Sequence, residues 1–155
     1  MMALGQCTDP GYAAKLRSLY KGTVTTIQPA DLARMVTGNR SPLILDTRSP
    51  REFEVSHLPT AKLVDYKTFS RNDVENQALD RVVVVYCTVG YRSERIGEQL
   101  EELGFQHVFN LYGGIFEWVN QGHTVVDARG NPTMKVHAYS EDWGRWLRKG
   151  EKIYQ

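Results

Sequence analysis

Two runs of apolar residues in the chain have the length and continuity of buried β-strands. They are PLILD at 42–46 and RVVVVYC at 81–87, and charged or turn-forming residues bound each of them. Strands that are apolar on both faces are typical of parallel sheets that helices cover on both sides. Weaker apolar runs at 61–64 and 107–111, and a short strand before Pro29, predict the rest of such a sheet.

Helical patterns fill the segments between these strands. The clearest helix is predicted at 93–103, with Ser93 as a candidate N-cap and Gly104 as a C-terminal stop. Its apolar positions recur at helical spacing, so one face of the helix is expected to pack on the sheet. Further helices are predicted between Pro29 and Gly38 and at 12–20, 50–55, 67–72 and 114–120. The alternation of strands and helices predicts an α/β domain.

Composition and charge narrow the classes of function. The 155 residues suit one compact domain, and a net charge of +1 with 24% charged residues nominates neither nucleic acid nor a membrane as a partner. Cys7 and Cys87 match no zinc or disulfide spacing, which indicates a reducing compartment, and the histidines show no ligand spacing, so no metal is expected. Because neither a signal peptide nor an apolar run of about 18 residues is evident, we expect a cytoplasmic protein.

The chemistry is expected at Cys87, which ends the strand at 81–87 directly before a helix. Ligands of parallel α/β sheets gather outside the carboxyl ends of the strands. A loop that turns into a helix directs backbone N–H groups inward, and together with the helix dipole these favour a thiolate. Gly90 permits a close turn, and Arg92 and Arg95 can hold an anionic donor or product. A buried, inert cysteine is the alternative, but burial alone does not explain Gly90 and Arg92 at this place.

Four motifs follow one another along the sequence. They are TTIQPADLARMV at 25–36, LDTRSPREFEVSHLPTA at 45–61, CTVGYRS at 87–93 and LYGGIFEWVNQGHTVV at 111–126. In this order, over residues 24–127, they resemble the rhodanese family of sulfurtransferases, although that family usually has glycine in place of Ser56 and Thr60. The resemblance implies a rhodanese-like α/β fold with a central, mostly parallel five-stranded sheet and helices on both faces.

The resemblance also implies an activity. In a sulfurtransferase of this family the Cys87 thiolate attacks the outer sulfur of a donor such as thiosulfate, and sulfite leaves. The resulting persulfide passes its sulfur to cyanide, glutathione or a protein thiol, without a metal or other cofactor. The expected substrate-binding residues are Thr88, Val89, Gly90, Tyr91, Arg92 and Ser93. Arg48 is a further candidate, because it lies just beyond the strand at 42–46 and can face the same crevice.

Two segments lie outside the resemblance. Residues 1–22 are predicted to be an N-terminal extension with a short helix, residues 23–127 the rhodanese-like domain, and residues 128–155 a C-terminal tail. Trp143 and Trp146 in the tail are expected to bury area, so we expect the tail to pack on the domain. This aromatic, basic tail is also a candidate docking surface for a protein partner.

Alternatives remain open for the function and for individual residues. Cysteine phosphatases and arsenate reductases place five residues between cysteine and arginine, whereas Cys87 and Arg92 enclose four, which favours sulfur chemistry. A persulfide relay or interaction module that serves a dedicated protein partner would keep the cysteine and use the tail for docking. Asp46, Glu52 and His57 are expected to stabilise the loop after the strand at 42–46 rather than to act on substrate.

Overall fold

The computed structural model describes residues 8–39 and 41–155, and its centre is a five-stranded parallel sheet. The strands are β1 (Thr26–Ile27), β2 (Leu43–Asp46), β3 (Lys62–Leu63), β4 (Val82–Tyr86) and β5 (His107–Leu111). Their order across the sheet is β1-β5-β4-β2-β3, and every neighbouring pair is parallel. The predicted five-stranded sheet is confirmed, including its weaker strands.

Helices and short strands complete the described part of the chain. The helices are α1 (Pro10–Leu19), α2 (Pro29–Val36), α3 (Pro50–Val55), α4 (Tyr91–Glu102), α5 (Gly114–Asn120) and α6 (Glu141–Gly144). The additional strands are β6 (Val125–Val126), β7 (Pro132–Thr133), β8 (Lys135–His137) and β9 (Glu151–Ile153). Strands β6 and β7 form an antiparallel pair, and β8 and β9 form a parallel pair.

The alternating side chains of β4 divide the apolar core between the two faces of the sheet. Val83 and Val85 pack in one cluster with Ile96 of α4. Val84 and Tyr86 pack in a second cluster, which α1, α2 and α5 cover. Because successive strand residues point to opposite faces, a strand that is apolar throughout needs such cover on both sides. The predicted helices on both faces of the sheet are confirmed.

The predicted helix at 67–72 is wrong. This segment consists of turns that lead into a 3-10 turn at Arg71–Val74. The Asp73 carboxylate accepts a hydrogen bond from Ser70 N at 2.9 Å. Local bonds from a short polar side chain to the backbone favour turns over a continuous helix, and they explain the difference.

Helix α4 begins at Tyr91, earlier than predicted, and its N-cap is Gly90 rather than Ser93. Gly90 has a φ of 116°, in the left-handed region that glycine enters at little cost. Ser93 is instead a buried helical residue whose hydroxyl faces the site described below. The predicted C-terminal stop is confirmed, because Gly104 follows the helix with a φ of 105°.

The segments that flank the sheet pack on the same core. Tyr12 and Leu16 of α1 are buried in one cluster with Leu147 of the C-terminal segment. Tyr12 also stacks on Trp146, with ring centroids 5.5 Å apart. The N-terminal helix and the C-terminal segment therefore cover one face of the domain together. Within residues 8–39 and 41–155, no helix has the combination of length and apolar character that crossing a membrane requires.

Candidate active site

Cys87 directly follows β4 and borders a pocket of about 390 Å³. It opens the active loop, residues 87–92, and is only 1% exposed. The backbone N–H of Gly90 donates to Sγ at 3.1 Å, and the hydroxyl oxygen of Ser93 lies 3.5 Å from Sγ. Since Gly90 caps α4, the sulfur faces the positive end of that helix dipole. The thiol thus lies at the carboxyl edge of the sheet, where the sequence predicts it.

The N-terminus of α5 holds the first half of the active loop. Ile115 N donates to Cys87 O at 3.0 Å, and Phe116 N donates to Thr88 O at 3.3 Å. Gly114 makes this close approach possible, because a Cβ at that position would lie 2.3 Å from Thr88 O. The glycine pair in the last of the four motifs therefore serves the backbone of the active loop.

Two polar side chains hold the second half of the active loop. The hydroxyl of Tyr20 donates to Val89 O at 2.5 Å, and Asn110 Nδ2 donates to Gly90 O at 3.0 Å. Asn110 Oδ1 also accepts from the Ser93 hydroxyl at 2.6 Å, which fixes Ser93 beside the sulfur. Tyr20 belongs to the N-terminal segment and Asn110 to β5, so two distant parts of the chain set the shape of the loop.

The carbonyl groups of residues 87–90 are thus all bound by partners outside the active loop. In a trans peptide unit the C=O of one residue and the N–H of the next point in opposite directions. The N–H groups of residues 88–91 therefore turn toward the interior of the loop, as the contact of Gly90 N with Sγ illustrates. The first N–H groups of α4 add to this set, because an α-helix leaves them without internal partners. The loop presents a concave set of backbone donors to an anion at Sγ.

Arg92 is bound by Glu52 of α3. Its Nη1 and Nη2 donate to Glu52 Oε2 at 3.1 Å and Oε1 at 3.0 Å, and Nη2 also donates to Thr88 Oγ1 at 2.8 Å. Burial opposes ionisation of Glu52, but the hydrogen bonds and charge of Arg92 outweigh burial and lower the pKa of the Glu52 carboxyl to about 2. The arginine that the sequence predicts for anion binding is therefore neutralised by a carboxylate.

Arg48 does not face the crevice of Cys87, contrary to expectation. Its side chain is 0% exposed, and Nε and Nη2 donate to the Asp46 carboxylate at 2.9 Å and 2.7 Å. Nη2 also donates to Ser56 O at 2.7 Å, and the Tyr86 hydroxyl donates to the same carboxylate at 2.6 Å. A guanidinium that is fully buried and ion-paired has no surface to offer a donor molecule. In this structure Arg48 stabilises the loop that follows β2.

Parts of the chain outside the active loop complete the pocket. Leu19 of α1 and Tyr139 and Trp143 of the C-terminal segment line it. Tyr139 lies over the Arg92 guanidinium, with Cζ 5.4 Å from the ring centroid. Tyr139 also has a φ of 71°, a left-handed conformation that is strained for a bulky residue. Such strain persists only where the surrounding structure imposes it, and here it lies at the rim of the pocket.

Apart from Arg48, the residues that the sequence predicts for the site divide into those that line the pocket and those that contact the sulfur of Cys87. Those that line the pocket beside Cys87 are Thr88, Val89, Tyr91 and Arg92. Gly90 and Ser93 contact the sulfur instead. Cys7 lies outside the described residues. Among the residues that the structure describes, no three His, Cys, Asp or Glu side chains cluster in a way that could hold a metal ion.

Sequence reasoning missed Asn110, Tyr20, Leu19 and Tyr139. Asn110 carries a recognisable signal, because it is a polar residue inside the otherwise apolar end of β5. The other three lie on segments outside the family resemblance, for which the sequence predicts packing on the domain or docking of a partner but no place beside Cys87. Their position over the loop depends on tertiary structure.

A buried cysteine in a strand-to-helix loop at the carboxyl edge of a parallel sheet defines an α/β protein with a candidate nucleophile. The model of the rhodanese-like domain matches residues 28–121, and the chain belongs to this family.

Curated relatives of this chain are longer proteins, and the similarity covers only part of each. The probable adenylyltransferase/sulfurtransferase MoeZ of Mycobacterium tuberculosis is 29% identical over 98 residues, which are 63% of this chain and 25% of that protein. A tRNA uridine(34) hydroxylase of Listeria monocytogenes is 32% identical over 98 residues, which are 60% of this chain and 30% of that protein. The match thus spans less than a third of these relatives' own length.

Solved structures support the fold. The crystal structure of a thiosulfate sulfurtransferase from Pseudomonas aeruginosa superposes with a TM-score of 0.65 and 18% identity, over 89% of this chain and 26% of that chain. At this level of identity the likeness concerns the fold alone.

Proposed function

We propose that this protein is a sulfurtransferase that carries sulfane sulfur as a persulfide on Cys87. The observation that carries the proposal is the arrangement of the active loop around Sγ. Gly90 N donates to the sulfur at 3.1 Å, and the carbonyls of the loop are bound on its outer side. Backbone donors that are fixed in advance stabilise an anion without reorganisation, and both the thiolate and the terminal sulfur of a persulfide are anions.

The reaction consists of two displacements. In the first, the Cys87 thiolate attacks the outer sulfur of thiosulfate, a new S–S bond forms, and sulfite leaves with the electron pair of the broken S–S bond. In the second, an acceptor nucleophile such as cyanide attacks the outer persulfide sulfur, thiocyanate leaves, and the thiolate is restored. No net oxidation of the protein occurs, and ping-pong kinetics are expected.

The names of the relatives favour this chemistry without specifying it. MoeZ is named a sulfurtransferase, whereas the Listeria relative is named a tRNA hydroxylase, so the shared domain occurs in proteins with different activities. Thiosulfate as donor, and cyanide, glutathione or a protein thiol as acceptor, are part of the proposal. A reducing compartment such as the cytoplasm is part of the proposal, because it keeps the Cys87 thiol from being lost to a disulfide.

Intact-mass spectrometry tests the proposal. After incubation with thiosulfate, the wild-type protein should gain the mass of one sulfur atom, and cyanide should remove it. Cys87→Ser should not gain this mass. Cys7→Ser is the matched control, because it removes the other cysteine of the chain and should still be modified. An unmodified wild-type protein, or Cys87-dependent hydrolysis of an aryl phosphate without persulfide formation, would overturn the proposal.

A further inference from the structure

Three of the eight residues that line the pocket over Cys87 lie outside the family match. That match covers residues 28–121, whereas Leu19 precedes it and Tyr139 and Trp143 follow it. Pockets that take drug-sized molecules begin at about 300 Å³. A volume of about 390 Å³ therefore exceeds what a small tetrahedral anion such as thiosulfate requires.

The two arginines that the sequence predicts for anion binding are already paired with carboxylates. Arg92 is held by Glu52 through both terminal nitrogens. Arg95, the other arginine expected to hold an anion, contacts Glu94 at 2.5 Å and Glu98 at 3.1 Å. Since carboxylates compete for the same nitrogens, these guanidinium groups offer little to a donor that carries two negative charges.

The aromatic walls are held in place by contacts of their own. Lys15 of α1 lies over the Trp143 ring, with Nζ 5.2 Å from the centroid. The backbone N–H of Tyr139 donates to His137 Nδ1 at 3.1 Å, and its ring lies over Arg92. Rigid aromatic side chains that are fixed before binding supply apolar contact area at a low entropic cost. The walls thus have the character of a binding surface for an apolar group.

We propose, on the basis of the sulfurtransferase function above, that the sulfur donor is an organic sulfane compound with an aromatic or other apolar group. In a displacement at sulfur the leaving group lies opposite the attacking thiolate. The apolar group therefore extends away from Cys87 toward Leu19, Tyr139 and Trp143. An organic thiosulfonate of this class carries one negative charge where thiosulfate carries two, which suits a site whose arginines are already paired.

Organic thiosulfonates serve as probes for this class. The Cys87 thiolate attacks the outer sulfur of R–SO2–S⁻, the S–S bond of the thiosulfonate breaks, and the sulfinate R–SO2⁻ leaves with the electron pair. The Cys87 persulfide remains, and cyanide then removes the sulfur as thiocyanate. No proton, oxidant or reductant is consumed.

The experiment compares benzenethiosulfonate with methanethiosulfonate at saturating cyanide. The measured quantity is the aryl preference. It is the kcat/KM for benzenethiosulfonate divided by that for methanethiosulfonate, corrected by the same ratio of the uncatalysed rates with cyanide. Partial burial of a ring in place of a methyl group favours the aryl donor by about tenfold in the wild type. The preference should fall several-fold in Trp143→Ala and in Tyr139→Gly. Leu79→Ala is the control, since Leu79 is exposed and does not line the pocket.

Tyr139→Gly keeps the test decisive if Trp143→Ala fails to fold. Tyr139 is 53% exposed and has a positive φ, which glycine adopts readily. An aryl preference near one in the wild type, or an unchanged aryl preference in Tyr139→Gly, would overturn the assignment of the donor. Persulfide formation from either probe would still uphold the sulfurtransferase function. Absence of a persulfide with thiosulfate and with both probes would overturn both proposals.

Discussion

Glu52 ties the active loop to the helix that follows β2. Its carboxylate accepts from the backbone N–H of Ser49 at 3.0 Å, from Thr88 Oγ1 at 3.1 Å and from both terminal nitrogens of Arg92. Glu52 is 3% exposed, so these bonds are shielded from solvent. These donors and the charge of Arg92 favour the ionised form of the Glu52 carboxyl in the folded protein.

We predict that this ionisation makes stability depend on pH. The pKa of Glu52 is about 2 in the folded protein against 4.5 ordinarily, so its contribution is complete above about 4.5 and is lost as the pH falls toward 2. The free energy of unfolding, measured in urea at several pH values, should therefore differ most between wild type and Glu52→Gln near neutral pH. The difference in the free energy of unfolding between the two proteins should become smaller as the pH falls from about 4.5 toward 2. Glu54→Gln, at an exposed position of α3, should show no such narrowing.

Thr60 is a second residue with an individual effect. It has a φ of 67° and is exposed, at a position where the rhodanese family usually has glycine. A β-branched residue is strained in this region of φ, whereas glycine is not. We predict that Thr60→Gly raises the free energy of unfolding by about 0.5–1 kcal/mol, since relief of strain exceeds the entropy that glycine adds to the unfolded chain. Thr60→Ala retains Cβ and should give a smaller gain in a thermal melt, and an equal gain would contradict the role of φ.

Among the elements, α1 has an influence on the active loop that its sequence alone does not reveal. Tyr20, directly after α1, donates to Val89 O at 2.5 Å and accepts from Gly113 N at 2.9 Å. A Cβ on Gly90 would lie 2.2 Å from the Tyr20 hydroxyl oxygen, so this contact also explains the glycine of the loop. Tyr20 is therefore a positioning residue for the backbone donors around Sγ.

We predict that Tyr20→Phe slows persulfide formation by about tenfold or more, because Val89 O loses its partner and the loop amides lose their fixed direction. The accompanying loss of stability should be about 1 kcal/mol. Single-turnover mass spectrometry with thiosulfate gives the rate, and a urea melt gives the stability. Tyr112→Phe removes the hydroxyl of the neighbouring ring and should leave the rate unchanged. Equal rates in the wild type and Tyr20→Phe would leave Tyr20 with a structural role only.

The elements that the sequence predicts well are those with a local cause. Continuous apolar runs predict β2 and β4, and Gly104 marks the end of α4. The contacts of Asn110 and Tyr20 arise instead from residues that are far apart in the chain, separated from Gly90 and Val89 by 20 and 69 positions. Neither periodicity nor spacing can predict such contacts, because they depend on how the elements pack.

At the scale of the whole molecule, the C-terminal segment is part of the core. Val136, Ala138 and Leu147 are buried in the same cluster as Tyr12 and Leu16 of α1. Asn120 Nδ2 of α5 also donates to the backbone carbonyl of Trp146 at 2.9 Å. These contacts agree with the expectation that the aromatic tail packs on the domain.

We predict that Leu147→Ala lowers the free energy of unfolding by about 2–5 kcal/mol, because the leucine is 1% exposed and its removal leaves a cavity. The corresponding decrease in Tm is about 5–15 °C for a chain of this size. Differential scanning calorimetry measures it. The same truncation at the exposed Leu79 should change Tm by only a few degrees. A small change for Leu147→Ala would mean that the segment can leave the core at little cost.

Trp143 gives the molecule a built-in optical signal. Its indole lies in the wall of the pocket that Cys87 also borders, whereas Trp118 and Trp146 do not line that pocket. Indole emission responds to polarity and to nearby quenchers, so the arrival of a ligand changes the fluorescence of one of the three tryptophans and leaves a steady background from the others. Occupancy of the site can therefore be followed in unlabelled protein, in real time and before any sulfur has been transferred.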